Sequence, residues 1–196
     1  MRLLLIIMVS YLIGSFSSAY FIGKVFKNID IRGHGSGNVG ATNALRVMGK
    51  TLGILTFLFD IIKGIIAVII GKSILGFNGG LIGGMFAVVG HNWPVFIGFK
   101  GGKGVATSLG ALLMLNWIPV VIATILGMIV ALVTRYVSLG SISFLTLQPF
   151  IYIMIGKSIN WNFLIFSVIL ALLAIIRHRS NIRRLKEGTE NKIGRW

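Results

Sequence analysis

The 196-residue chain has no cysteine, only three prolines and only four acidic side chains, Asp30, Asp60, Glu187 and Glu190. The missing cysteine excludes disulfides, thiolate metal sites and a cysteine nucleophile. Metal sites need carboxylates or clustered histidines. His34, His91 and His178 are far apart in the chain, and few carboxylates lie near its loops, so neither a metal nor another cofactor is expected. Charge as a whole is scarce. Only 12% of residues are charged against 56% hydrophobic, about half the charge of a soluble domain. The mean hydropathy is +0.93. This is the composition of an integral membrane protein. Its first apolar run, Leu3 to Ile22, has spanning length and no small-x-small cleavage site, so it reads as a span rather than a removed signal.

What charge there is has mostly one sign: nineteen Lys/Arg give a net +15. No long polar surface exists on which to lay a duplex, so nucleic acid is excluded as the partner. The excess instead reads as inside-facing loops together with an anionic partner, either lipid headgroups or phosphorylated substrates.

A helix needs about 20 apolar residues to cross a bilayer core of ~30 Å. The hydropathy pattern predicts one all-α polytopic membrane domain over 1–196, with seven transmembrane helices near 3–22, 52–70, 77–97, 104–118, 119–137, 141–156 and 161–177. Some of these are short or broken. Asn116, Trp117 and Pro119 divide a long apolar run, which leaves a fourth span too short for a full crossing, and Gln148-Pro149 marks a kink in the sixth. Gly14, Ser15, Ser17 and Ser18 offer a small-residue packing face, as do Gly79/Gly83 and Gly80/Gly84 at GxxxG spacing. Segments 24–50, 98–104, 135–140 and 177–196 hold fifteen of the nineteen Lys/Arg, whereas the opposite side has only Arg2, Lys72 and Lys157. The positive-inside rule then puts the N-terminus outside and the C-terminus in the cytoplasm, which seven spans satisfy. Lys63 is the one remaining cation. It shares a helix face with Asp60 inside the second span, where the two can neutralise each other. They are expected to form a structural pair far from the polar loops.

Polar chemistry collects on the predicted inside face. The stretch GHNWPVFIGFKGGKGVAT (90–107) follows an apolar span with glycines, lysines and then a new helix starting near Gly104. Glycines allow backbone N–H groups to converge on an anion, the helix N-terminus adds partial positive charge, and Lys103 adds a full one. It is not a Walker A loop, since Ile97 and Gly104 stand where Gly and Ser/Thr are required. A second cluster, RGHGSGNVGATNALR (32–46), carries Ser36, Asn38, Thr42, Asn43 and Arg46; a third is HRSNIRRLKEGTEN (178–191); a smaller patch adds Arg135, Ser138 and Ser141. Ser36 lies in no GxSxG elbow, and no histidine has an aspartate five positions on. Many donors, several cations and few bases suit doubly anionic substrates. Candidate ligands for these are Asn38, Thr42, Asn43, Gly101, Gly102, Lys103, Gly104, Thr107, Ser141 and Arg179.

The blocks SGNVGATN…R, GHNWPVFIGFKGGKGVAT and HRSNIRRLKEGTEN closely resemble those of the bacterial acyl-phosphate:glycerol-3-phosphate acyltransferase family, in block order, length and seven-span layout. The resemblance implies transfer of a fatty acyl group from acyl phosphate to the sn-1 hydroxyl of glycerol 3-phosphate. The product is lysophosphatidic acid, made at the bacterial cytoplasmic (inner) membrane. It implies catalytic importance for Ser36, Arg46, His178 and Asn181, a glycerol phosphate role for Gly101 to Gly104, and structural support from Glu190. The implied partners are glycerol 3-phosphate, acyl phosphate, the lipid bilayer and a soluble enzyme that produces acyl phosphate. Because an acyl phosphate loses phosphate, little general-acid help is needed, and alignment of two anions together with oxyanion stabilisation remains to be supplied. Arg46, Lys103 and Arg179 suit the phosphates, and Ser36 and Asn181 the oxyanion. His178 is the best protein base by its intrinsic titration range, but Arg177 and Arg179 flank it and disfavour imidazolium. A phosphate oxygen of the donor is the alternative base, and it is preferred. An organophosphate transporter is the alternative function; it predicts an inverted repeat and far-side polar residues, and the sequence has neither.

Overall fold

A computed structural model of the chain describes residues 1–156 and 158–194. Lys157, counted above among the outside cations, lies outside the described residues. Among those described the chain is helical, with no strand. It divides into two compact units, Met1–Leu115 and Asn116–Trp196.

The first unit opens with α1 (Arg2–Ser15) and α2 (Ser18–Lys27). The single span expected over 3–22 is therefore broken, with Phe16 and Ser17 both in extended conformation. Serine side chains compete for backbone bonds and weaken a helix locally. The carbonyl freed at the break, that of Phe16, accepts a bond from Lys63 Nζ at 2.9 Å, which makes the interruption tolerable in apolar surroundings. A short 3₁₀ turn (Ile31–Gly33) and α3 (Ala41–Met48) follow. Then comes α4 (Lys50–Asn92), whose helical geometry fails at Leu75 and Gly76. Gly76 sits at φ 59°, a conformation that favours glycine. The chain turns back there, and the two arms of α4 pack so closely that a Cβ on Gly71 would strike the Gly79 carbonyl and one on Gly83 the Ala67 carbonyl. The predicted spans 52–70 and 77–97 are these arms. The second arm stops at Asn92, short of 97, because Trp93 precedes Pro94 and adopts φ −134°, ψ 68°. Helix α5 (Val105–Leu115) has eleven residues, about 16 Å at ~1.5 Å each. It is shorter than the expected 104–118.

Helix packing through backbone contact gives the first testable expectation. Gly79→Val forces a branched side chain into the Gly71 backbone, which overpacks the hairpin and should cost at least about 1–3 kcal/mol. Gly33→Ala, with nothing within 4 Å of the added carbon, is the control. Thermal unfolding in detergent should separate the two; equal melting would mean that the arms are not held by this contact.

The second unit comprises α6 (Trp117–Thr134), α7 (Val137–Ile155), α8 (Trp161–Arg177) and α9 (Arg179–Lys186). The break in the long apolar run falls at Asn116 alone. Trp117 and Pro119 lie inside the first turn of α6, where amide groups have no intrahelical partner and proline is tolerated. Helix α7 begins at Val137 rather than 141 and continues through Pro149. Asn160 caps α8 by accepting the Phe163 N–H at 3.0 Å. Helices α8 and α9 meet at His178 with a bend of 59°. By length and composition, Arg2–Lys27, Lys50–Ile97, Trp117–Thr134 and Val137–Ile155 can each cross a membrane, and the bent α8–α9 pair makes a fifth candidate.

Candidate active site

In the first unit the Ser36 block and the glycine loop come together. Arg32 holds Asp30 through Nη2 at 2.6 Å and donates Nη1 to the Ile97 carbonyl at 3.2 Å, which ties the 30–33 turn to the start of the glycine loop. The Arg32 guanidinium, chiefly by its hydrogen bonds, lowers the Asp30 carboxyl to about 2. Ser36 is exposed between Gly35 and Gly37, both at positive φ. Asn43 is buried beneath it; its Oδ1 accepts the Ser36 N–H at 2.9 Å and its Nδ2 donates to the His34 carbonyl at 3.0 Å. Asn43 was expected to contact phosphate. Its amide is instead committed to the loop backbone, and it braces the loop that carries Ser36. Asn38, Thr42 and Arg46 are half-buried, with Thr42 and Arg46 one turn apart on α3.

The glycine loop lies against the end of α4. Gly101, Gly102 and Gly104 are buried, Lys103 is half-buried and α5 begins directly after Gly104. The Gly102 N–H donates to the His91 carbonyl at 3.1 Å. One amide expected to face an anion therefore turns inward and holds the loop closed. Gly104 has φ 78°, and a Cβ there would sit 2.8 Å from Asn92 Oδ1, so only glycine suits the position. Thr107 lies in the first turn of α5 with its hydroxyl buried, and among the described residues that hydroxyl has no hydrogen-bond partner. The same holds for both polar atoms of the Asn92 side chain.

Asn92 and His91 stand outside the candidate ligands read from the sequence, although a polar pair where an apolar span meets Trp93-Pro94 is a signal for them. Asp60 and Lys63, expected far from the loops, adjoin them. Lys63 Nζ is 2.9 Å from Asp60 Oδ1 and 2.8 Å from His91 Nδ1. The turn at Leu75–Gly76 brings the second arm back alongside the first, and with it His91.

In the second unit His178 is buried at the α8–α9 junction, with Nδ1 2.8 Å from the Ala174 carbonyl. A carbonyl can only accept, so the bond assigns the proton to Nδ1 and leaves Nε2 as the acceptor. Asn181, one turn on and also buried, donates Nδ2 to Glu190 Oε1 at 2.6 Å. Ser138 donates to the same oxygen at 2.8 Å, and Arg184 Nε bonds Oε2 at 2.7 Å. Glu190 thus joins α7 and α9 through its carboxylate. Ser141, half-buried, spends its hydroxyl on its own helix through the Val137 carbonyl at 2.9 Å, and Arg179 is exposed at the start of α9.

Burial raises the Glu190 pKa, but bonds from Asn181, Ser138 and Arg184 outweigh it, and the carboxyl ends below its ordinary value. A depressed folded-state pKa stabilises above the unfolded value and is lost as pH falls through the lowered one. Hydrogen exchange on segment 179–190 should accelerate across that acidic window in wild type. Glu190→Gln should show fast exchange already at neutral pH, with no acid step. An unchanged acid step in the variant would assign the transition to another group.

The fold and these clusters define a helical membrane protein with a cationic glycine loop and a buried histidine and asparagine one turn apart, each held by its own hydrogen bond. The profile of the glycerol-3-phosphate acyltransferase family matches residues 4–188. A glycerol-3-phosphate acyltransferase from Thermoanaerobacter sp. (strain X514) is 48% identical over 95% of this chain and 93% of its own. One from Alkaliphilus metalliredigens (strain QYMF) is 44% identical over 98% and 96%. The crystal structure of PlsY, an integral membrane glycerol 3-phosphate acyltransferase in its glycerol 3-phosphate form, superposes with TM-score 0.92 at 37% identity, covering 99% of this chain and 96% of that one. Its lysophosphatidic acid form gives 0.90. The chain belongs to the glycerol-3-phosphate acyltransferase family and is an integral membrane acyltransferase.

Proposed function

We propose that the protein transfers a fatty acyl group from acyl phosphate to the sn-1 hydroxyl of glycerol 3-phosphate, giving lysophosphatidic acid and phosphate at the cytoplasmic face of a bacterial inner membrane. The observation that carries this is the buried glycine loop, with Lys103 beside the N-terminus of α5 and the Ser36 block against it. Helix ends and lysines favour phosphate esters. The buried polar atoms of Asn92 and Thr107 are of the kind a phosphate oxygen or a glycerol hydroxyl satisfies. The glycerol 3-phosphate and lysophosphatidic acid forms of PlsY support acceptor and product.

Transfer is direct. The hydroxyl oxygen attacks the acyl carbon, the bond from that carbon to the phosphate oxygen breaks, and the hydroxyl proton passes to a phosphate oxygen of the donor. No acyl-serine forms at Ser36. His178 Nε2 accepts a hydrogen bond from a reacting group, and Asn181, held by Glu190, keeps an amide oriented for the oxyanion. A soluble enzyme that makes acyl phosphate is the expected supplier. Purified protein in detergent or liposomes, incubated with acyl phosphate and glycerol 3-phosphate, should release lysophosphatidic acid and phosphate in equal amounts. Activity with acyl-CoA or acyl carrier protein but not acyl phosphate would reject the donor. Acyl label retained on Ser36 without acceptor would reject direct transfer.

Seven crossings, with the N-terminus outside, follow if each arm of α4 and the short α5 count separately. Single cysteines at Trp117 and Asn160 should label from outside and one at Gly102 only from inside. Outside labelling at Gly102 would overturn the orientation and the cytoplasmic site together.

A further inference from the structure

Beneath the glycine loop lies a buried charged cluster that the acyl-transfer chemistry leaves unused. Asp60, Lys63 and His91 are 1%, 5% and 7% exposed. Lys63 Nζ has three hydrogens and three partners: Asp60 Oδ1 at 2.9 Å, the Phe16 carbonyl at 2.9 Å and His91 Nδ1 at 2.8 Å. Asp60 Oδ1 also accepts from Ser18 Oγ at 2.9 Å. His91 Nδ1 also lies 3.4 Å from Asp60 Oδ1, a contact that would need a proton on Nδ1. An ammonium can only donate, so the shorter bond from Lys63 favours the lone pair on Nδ1 and the proton on Nε2. The Nε2 edge faces Gly102 so closely that a Cβ there would collide with it, and a Cβ on Gly101 would collide with the His91 carbonyl. The Gly102 N–H is bonded to that same carbonyl at 3.1 Å. His91 therefore meets the loop with both its ring and its backbone, while Lys63 and Asp60 hold the ring from the other side.

We propose that His91 is a positioning residue for the phosphorylated acceptor, with its ring orientation and Nε2–H tautomer imposed by the Lys63–Asp60 pair so that Gly101 and Gly102 take up the conformation that receives the phosphate. Lys63 itself is no phosphate ligand, because its three hydrogens are spent and Asp60 neutralises its charge. The Lys63–His91 bond joins the two arms of α4. A pair that only stabilised this hairpin would not also be joined, through a glycine too tight for any side chain, to the loop that carries Lys103. The inference rests on the glycine loop being the glycerol 3-phosphate site.

Removing Lys63 alone strands a buried carboxylate and risks unfolding, so the informative variant removes both charges. Asp60→Asn/Lys63→Met keeps the volumes and the neutrality and releases the Nδ1 side of His91. It should fold in detergent, keep kcat within about twofold and raise KM for glycerol 3-phosphate at least tenfold, with KM for the acyl donor unchanged. His91→Asn retains an acceptor near the Nδ1 position but no Nε2–H, and His91→Gln retains the reverse. If the Nε2–H against the loop is the working contact, Gln should hold KM closer to wild type than Asn does. Wild-type KM in a folded double variant overturns the proposal. Should the double variant not fold, histidine-selective ¹⁵N NMR of the wild-type protein decides, with His91 assigned by the signal lost in His91→Asn. An Nε2–H tautomer supports the proposal and an Nδ1–H tautomer overturns it. Lys103→Ala separates the levels. If it leaves KM for glycerol 3-phosphate untouched, the site reading fails. If it raises KM while the charge-free pair does not, only the His91 inference fails.

Discussion

Lys103→Ala is expected to lose at least an order of magnitude in kcat/KM for glycerol 3-phosphate, about 1.4 kcal/mol or more of transition-state stabilisation. The lysine follows two buried glycines and precedes α5, and it is itself half-buried. Its charge therefore acts where water screens it less than at an open surface. If Lys103 also neutralises charge developing on the departing phosphate, kcat falls too, and the split between kcat and KM reports which role is larger. Lys103→Arg should recover part of the loss, since it restores charge with a different donor geometry. Wild-type kinetics in Lys103→Ala would remove the phosphate cradle from this account. Gly102→Ala tests the same loop by another route. Its added methyl group meets His91 Nε2 and the Val39 carbonyl, so a rise in KM reports displacement of the histidine or of the Ser36 block against the loop.

The second large effect is expected at His178. His178→Ala should lower kcat by about 100-fold or more, the lower range for a residue that orients or moves a proton. The bond from Nδ1 to the Ala174 carbonyl puts the imidazole lone pair on Nε2, a tautomer that serves a base and an orienting group equally. His178→Gln distinguishes them, because it keeps hydrogen-bonding capacity without a basic nitrogen. Under substrate-assisted transfer the glutamine variant should remain well above the alanine variant and keep the wild-type pH profile. If it is as inactive as alanine and the pH dependence disappears, the histidine is the base and the donor phosphate is not. Asn181→Ala should also lose activity, whereas Glu190→Ala should combine lower activity with a looser tail, since Glu190 holds both Asn181 and Arg184.

The sequence by itself determined the class, the family and the location of polar chemistry. Hydropathy marks where apolar helices lie because each must cover its own length with apolar side chains. The start of α5 after Gly104 and the α8 helix of 161–177 were legible for that reason. The block GHNWPVFIGFKGGKGVAT was legible as a loop because glycine, proline and lysine interrupt the pattern together. Only the tertiary structure decided which polar atoms remain for a ligand. Asn43 and Ser141 look like phosphate donors in the sequence, yet the first braces the loop of Ser36 and the second bonds its own helix. Asn92, at the end of an apolar span, is buried beside Gly104. Lys63 was placed far from the loops by counting residues along one helix, but α4 reverses at Leu75–Gly76 and returns His91 to it, 28 positions on. Periodicity describes a helix along its own axis. It carries no information about which later segment comes back to lie alongside, and in apolar surroundings that neighbour decides where each buried hydrogen bond ends.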